Sequence, residues 1–141
     1  MLRIALLALL SACGNAPESH ARSYEPGSHV VRGDRVDVEL LTAQHEERSL
    51  SLRVAITNRA KDSLAVRRDG LLLAYQALEL PVRASVPASV TIPSGERVVL
   101  VLAFDTPIAA RSILRVRALE RGGEFLDAVA LPIPAPQGNG P

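Results

Sequence analysis

Hydrophobic and polar residues alternate strictly in two stretches of the chain. In the segment 36–40, every even position is Val or Leu and every odd position is acidic. In the segment 49–58, every even position up to Ile56 is Leu, Val or Ile. A period of two is typical of a β-strand with one buried face. The polar segment 58–63 (NRAKDS) then predicts a turn before a short strand near Leu64–Val66.

Two further apolar runs are less regular. In the segment 97–104, which follows an Ile-Pro-Ser-Gly turn, both alternating sets of residues are apolar, so we predict a central strand or one covered on both faces. The segment Leu71–Leu80 fits a strand, but Leu71, Leu72, Tyr75 and Leu78 also fit helical spacing. The turn signals on both sides of this segment favour a strand.

The C-terminal part alternates again. Leu114, Val116 and Ala118 form a predicted inner face, with arginines at 115 and 117 on the outer one. Gly122-Gly123 predicts a hairpin loop of two or three residues before a strand within 124–133. Prolines at 132, 134 and 136 end that strand, and we expect residues 135–141 to be a disordered tail.

Seven to nine short strands between residues 29 and 134, with turns every eight to twelve residues, predict one all-β domain. The expected architecture is an antiparallel β-sandwich. The two cysteines and the tryptophan of antibody-type domains are missing, because the chain has one Cys and no Trp. We therefore expect Val, Leu and Ile to provide the core packing.

The N-terminus has a different pattern. A short positive segment, Met1-Leu2-Arg3, precedes the apolar run Ile4–Leu10 and the small residues Ser11 and Ala12. This order is that of a secretory signal peptide, here residues 1–12, and is too short to span a bilayer. Residues 14–28 are rich in Pro, Gly and Ser and predict a disordered tether with an end-to-end distance of about 20–23 Å.

Leu10-Ser11-Ala12-Cys13 resembles the lipobox of bacterial lipoproteins. The resemblance implies that the Cys13 thiol is joined to diacylglycerol, that cleavage occurs just before it, and that the new amine is acylated. Residues 13–28 would then be the acylated cysteine and its tether. Several acyl chains would hold the domain stably at a membrane. Gly14, where an aspartate would retain the protein at the inner membrane, implies an outer-membrane or cell-surface address in the bacterial envelope.

A second resemblance covers roughly Ser49 to Val116. The segments SLSLRVAITNRAKDSLAV, DGLLLAY, TIPSGERVVLVLAFDTP and ILRV are similar to immunoglobulin-like domains of uncharacterised secreted bacterial lipoproteins. Asn58, Gly95, Phe104 and Pro107 hold the matching places. The resemblance implies an immunoglobulin-like β-sandwich and brings no catalytic residue with it.

Composition narrows the functional classes. The net charge of +1 gives no reason to expect nucleic acid as a partner. The lone cysteine cannot form an internal disulfide. The three histidines, His20, His29 and His45, form no cluster with other ligands, so we expect neither a metal site nor a cofactor. Only His45, in the polar stretch AQHEER, lies well within the predicted domain as a titrating centre.

The sequence thus favours a non-catalytic binding or assembly module, anchored to the membrane by acyl chains and engaging an unidentified envelope protein. Its predicted interaction surface is an outer arginine stripe made of Arg111, Arg115, Arg117 and Arg121, which could also face anionic headgroups. The alternative is a small-molecule-binding or hydrolytic lipoprotein with a site near His45.

Overall fold

A computed structural model describes residues 21–23, 29–83, 87–106, 108, 110–117, 119–121 and 123–136. Their regular structure consists of β-strands, all paired antiparallel, and one 3-10 turn at Arg68–Gly70. The strands are β1 (Ala21–Ser23), β2 (Val30–Arg32), β3 (Val36–His45), β4 (Leu50–Asn58), β5 (Leu64–Arg67), β6 (Leu71–Tyr75), β7 (Leu78–Pro81), β8 (Ser89–Ile92), β9 (Arg97–Phe104), β10 (Ser112–Val116), β11 (Leu119–Arg121), β12 (Glu124–Phe125) and β13 (Val129–Ile133). The predicted all-β, antiparallel class is confirmed.

The first sheet contains β1, β2, β3, β4 and β9. β3 pairs with β4 over its full length, with a bulge between Leu40 and Thr42. The other edge of β3 is shared by two short strands. β2 pairs with its first half and β1 with its second half, where Ala21 lies opposite Gln44. The two alternating stretches of the sequence therefore form the centre of this sheet.

The remaining strands form two four-stranded sheets, ordered β13-β10-β6-β7 and β12-β11-β5-β8. Three strands of one continue along the chain into strands of the other, and the Arg117 N–H bridges the break by donating to the Gly70 carbonyl at 2.8 Å. We treat both together as the second sheet. Because these breaks divide long strands, the described residues contain thirteen strand segments rather than the predicted seven to nine.

Both sheets contribute to one hydrophobic core. Its largest fully buried side chains are Phe104, Leu40, Leu50, Leu52, Ile56, Leu64, Leu71, Leu73, Ile92, Leu102, Leu114 and Leu119. Removing each such side chain from water stabilises the fold by about 1.5–3 kcal/mol. All but one are aliphatic, as the composition predicted.

Asn58, at the end of β4, is a fully buried polar residue. Its side-chain Nδ2 donates to the carbonyl oxygens of Asp62 at 2.8 Å and Ile92 at 2.9 Å, and its Oδ1 accepts from the Ala60 N–H at 2.9 Å. Its backbone carbonyl accepts from the Gly95 N–H at 2.8 Å. Asn58 therefore ties the turn after β4 to the end of β8 and to the turn that precedes β9.

β9 differs from its prediction. It pairs with β4 on one side and is the last strand in the order of the first sheet. The Arg83 N–H donates to the Ala103 carbonyl on the other side of β9. The outward Val101 is 56% exposed, and Val99 is also exposed. The prediction of a strand covered on both faces is wrong, because β-branched residues also suit the exposed face of an edge strand.

The ambiguous segment Leu71–Leu80 forms strands and no helix. It is divided into β6 and β7 by a two-residue loop, since Tyr75 lies opposite Leu78. Gln76 in that loop has a positive φ of 55°. The strand prediction is confirmed, but the reversal in its middle was missed because neither loop residue is Gly, Pro, Asn or Asp.

The tether prediction needs one correction. Ala21–Ser23, within the segment 13–28 expected to be disordered, form β1 against β3. The edge of β3 beyond β2 offers unpaired backbone groups, and pairing satisfies them. The signal peptide 1–12, the lipobox and residues 137–141 of the expected tail lie outside the described residues.

Candidate functional site

The predicted lipidation site, Cys13, also lies outside the described residues. Its acylation therefore stays a prediction that the geometry does not address. No helix in the described part of the chain has the length and apolar composition needed to span a membrane.

Three of the four arginines in the predicted stripe share the outer face of the second sheet. Arg111, Arg115 and Arg117 are exposed and alternate with buried positions. After the break that follows β10, β11 resumes with Leu119 fully buried, and the side chain of Arg121 is only 17% exposed. Residues alternate between faces only while a strand is continuous. The break therefore places Arg121 on the opposite face from the other three.

The three outer arginines also differ in whether their side chains form ion pairs. Arg117 pairs with Glu79 of β7. Arg121, on the other face, lies 3.8 Å from a carboxylate oxygen of Glu124. The side chains of Arg111 and Arg115 form no ion pair or hydrogen bond with the described part of the chain. These two guanidinium groups are therefore available for an external anion.

Arg111 and Arg115 line a half-open cleft of about 580 Å³ at one end of the second sheet. We refer to it as the Arg111–Arg115 cleft. It is lined by His29, Ala74, Gln76, Arg111, Ser112, Ile113, Arg115, Pro132, Ile133 and Pro134. It therefore combines cationic, apolar and small polar groups.

The strand register fixes how these groups are arranged. Ile113 lies opposite Pro132 of β13 and Ala74 of β6, so an apolar row crosses three strands. Ile113 is 37% exposed. Arg111 and Arg115 lie two residues before and after it, about 7 Å away along the chain in each direction. The cleft thus presents an apolar row with a cation on either side.

Ser112 adds an unsatisfied polar group to the lining of this cleft. The residue is 4% exposed, and its Oγ is buried without a hydrogen-bond partner. A buried hydroxyl without a partner is unusual, because its desolvation is then uncompensated. The hydroxyl can donate to or accept from a ligand that reaches it.

A second cleft, of about 360 Å³, lies at the opposite end of the strands. It is lined by Arg35, Arg59, Ala60, Lys61, Asp62 and Arg121. Two of its cations are already ion-paired: the Arg59 Nε donates to Asp37 at 2.9 Å, and Arg121 lies 3.8 Å from Glu124. The sequence analysis missed this cluster because its cations come from two turns and from β11, and no local spacing signals their approach.

His45 is the last residue of β3 and is half-buried, although the sequence around it is polar. Both ring nitrogens are shielded from solvent without a hydrogen-bond partner. Burial disfavours the protonated imidazole and so lowers the pKa of His45. The nearby backbone of Ile108 raises this pKa by a smaller amount, so the net shift is downward. The neighbouring Glu46 is engaged elsewhere, because its carboxylate accepts from the Gln44 Nε2 at 2.6 Å and the Ser49 Oγ at 3.3 Å.

Histidine and carboxylate side chains are the groups through which the described ranges could bind a metal ion. No group of three or more His, Cys, Asp or Glu side chains within them is arranged to hold a metal ion. His29 lines the Arg111–Arg115 cleft, and its backbone carbonyl accepts from the Leu40 N–H at 2.8 Å.

The chain matches no known protein-family profile and no curated protein sequence. It is similar in structure to the yjhA protein of Bacillus subtilis, with a TM-score of 0.53 and 14% identity over 63% of this chain and 78% of that one. It is similar to a protein of unknown function from Listeria monocytogenes EGD-e, with a TM-score of 0.56 and 13% identity over 77% and 82% of the two chains.

A third similar structure is that of the Bacillus subtilis protein named "putative lipoprotein (ycdA)". Its TM-score is 0.62, with 17% identity over 76% of this chain. The match spans 38% of the length of that protein. At these identities the three likenesses show a common fold and leave the activity open.

Proposed function

We propose that this chain is a membrane-anchored lipoprotein of the bacterial envelope, acylated at Cys13. Its immunoglobulin-like β-sandwich would act as a non-catalytic binding or assembly module at the outer membrane. The observation that carries the proposal is the lipobox-like tetrapeptide ending at Cys13, directly ahead of an all-β domain. The chain's first described strand, β1, begins only eight residues after that cysteine.

Three further observations support this reading. The core is filled with aliphatic side chains from both sheets, as a compact sandwich requires. The two free arginines of the Arg111–Arg115 cleft offer a binding surface outside that core. The ycdA protein, whose name includes the word lipoprotein, shares the fold.

The anchor is tested by expressing the full chain in a bacterium that processes lipoproteins. We expect the mature protein to begin at Cys13, to carry the mass of its acyl chains and to fractionate with membranes. Cys13→Ser should leave the membrane fraction or stay unprocessed, because no thiol remains to accept the lipid. The matched control, Cys13→Ser with Ser19→Cys, keeps one thiol outside the lipobox and should behave like Cys13→Ser.

Intact-mass spectrometry and fractionation decide the outcome. An unmodified mature protein that begins elsewhere would overturn the lipoprotein assignment. So would a Cys13→Ser variant that matures normally and stays with the membrane.

A further inference from the structure

We propose that the Arg111–Arg115 cleft docks onto the anionic phospholipid surface of the membrane that holds the chain. The inference deepens the proposed function and rests on the anchor at Cys13. It names the side of the domain that meets the bilayer and the chemistry of the contact, which is guanidinium groups against lipid phosphates around an apolar row.

The position of β1 orients the domain. Ala21 lies opposite Gln44, close to the end of β3. Ala21 lies eight residues after Cys13, and a fully extended chain over eight residue steps spans at most about 29 Å. An acylated Cys13 therefore holds this end of the first sheet near the membrane. The opposite end, where β3 begins at Val36, lies about 30 Å further along that strand.

The Arg111–Arg115 cleft lies at the same end of the domain. β9 ends at Phe104, which lies opposite Leu50 of β4, and Leu50 in turn lies opposite His45 at the end of β3. β10 begins only a short connection later, at Ser112. His29, which leads into β2 on the edge of β3, lines the cleft directly. The anchor and the cleft therefore face the same way.

The chemistry of the cleft fits lipid headgroups. A guanidinium group binds a phosphate through two parallel hydrogen bonds, and it is less strongly hydrated than an ammonium group. Arg111 and Arg115 have no competing carboxylate, whereas Arg117 on the same face is already paired with Glu79. The exposed Ile113 between them can contact the apolar part of the lipid, while the guanidinium groups stay at headgroup level.

An acidic soluble protein could also pair with two arginines. The membrane is favoured because β1, the described strand nearest to Cys13 in sequence, lies at the same end of the domain as this cleft, so the local concentration of lipid headgroups there is high whenever the anchor is inserted.

The test uses the full chain carrying Cys13→Ser, which cannot be acylated, in flotation with vesicles. Binding to phosphatidylcholine vesicles is compared with binding to vesicles that contain 30% phosphatidylglycerol, which separates electrostatic docking from apolar insertion of residues 1–12. We expect Arg111→Gln with Arg115→Gln to lower the phosphatidylglycerol-dependent partition coefficient about 25-fold, because each basic residue at the surface contributes about fivefold.

Two controls keep the result specific. Arg35→Gln with Lys61→Gln removes the same charge from exposed side chains of the cleft at the opposite end of the strands and should leave the partition coefficient within about twofold, because charges farther than a Debye length of about 10 Å are screened. Arg111→Lys with Arg115→Lys keeps the charge and should retain most of the binding. A circular-dichroism melting curve within about 2 °C of the parent confirms that each variant folds.

An equal phosphatidylglycerol-dependent partition coefficient in the parent and in the Arg111→Gln, Arg115→Gln variant would overturn the docking. An equal loss of binding in the charge-removal control at the opposite end of the domain would overturn it as well. These outcomes are independent of the anchor. An acylated Cys13 without arginine-dependent binding leaves the anchor standing and removes the docking. Arginine-dependent binding with an unmodified Cys13 does the reverse.

Discussion

Asn58 offers the sharpest test of how this fold is held together. Replacing it with Ala removes the donor to the Asp62 and Ile92 carbonyls and the acceptor for the Ala60 N–H. Asp62 is exposed, so water can replace its lost partner. The Ile92 carbonyl and the Ala60 N–H belong to buried residues and have no such replacement.

The expected loss follows from these two orphaned groups. Each buried backbone group without a partner costs about 1–3 kcal/mol, so we expect Asn58→Ala to lower the free energy of unfolding by about 2–6 kcal/mol. A domain of this size has about 5–15 kcal/mol in total, so the variant would be near the limit of folding. Urea unfolding measures the loss through the midpoint at a constant m-value.

Two controls locate the effect. Lys61→Ala changes an exposed residue of the same turn and should cost less than about 0.5 kcal/mol. Asn58→Asp keeps the size and the acceptor but turns a charged oxygen toward two carbonyl oxygens, so it should destabilise at least as much as Asn58→Ala. A loss below about 1 kcal/mol for Asn58→Ala, with an unchanged m-value, would refute this account.

Two further predictions concern single side chains. Phe104→Ala should lower the free energy of unfolding by about 3–5 kcal/mol, whereas Phe125→Ala should change it by less than about 0.5 kcal/mol, because Phe104 is fully buried and Phe125 is 65% exposed; similar urea midpoints for the two variants would contradict this. Because burial lowers the folded-state pKa of His45 below its unfolded value of 6.5, the unfolded chain binds more protons as the pH falls through 6.5. The free energy of unfolding should therefore fall as the pH decreases from 6.5 to the folded-state pKa of His45. The melting temperature of His45→Gln should depend less on pH over this range than that of the parent protein; an equal dependence in both proteins would contradict the prediction.

The local pattern predicted the strands well, since period-two alternation records which face of a strand is buried. It predicted the inward positions of β4 and β10 because Leu, Val and Ile recur there at every second residue. It could not predict that β9 lies at an edge, because the order of strands in a sheet depends on pairing partners that are distant in sequence.

The candidate site was predictable only in part, for the same reason. Arg111 and Arg115 share a face because the extended chain between them is unbroken, so the alternation of faces continues from one to the other. Arg121 does not, because the break after β10 changes the alternation and has no Gly or Pro to signal it. The cluster around Arg35 and Lys61 is assembled by turns that only the folded topology brings together.

The pairing of β1 with β3 also determines how the domain responds to mechanical load. β1 runs from Ala21, opposite Gln44, to Ser23, opposite Thr42. The hydrogen bonds between antiparallel strands stand perpendicular to the strand axis. Tension that arrives along the chain from the N-terminal side therefore shears the bonds of this pair simultaneously instead of opening them one after another. The three residues of β1 must therefore separate from β3 before the force is transmitted to β2 and to the buried core.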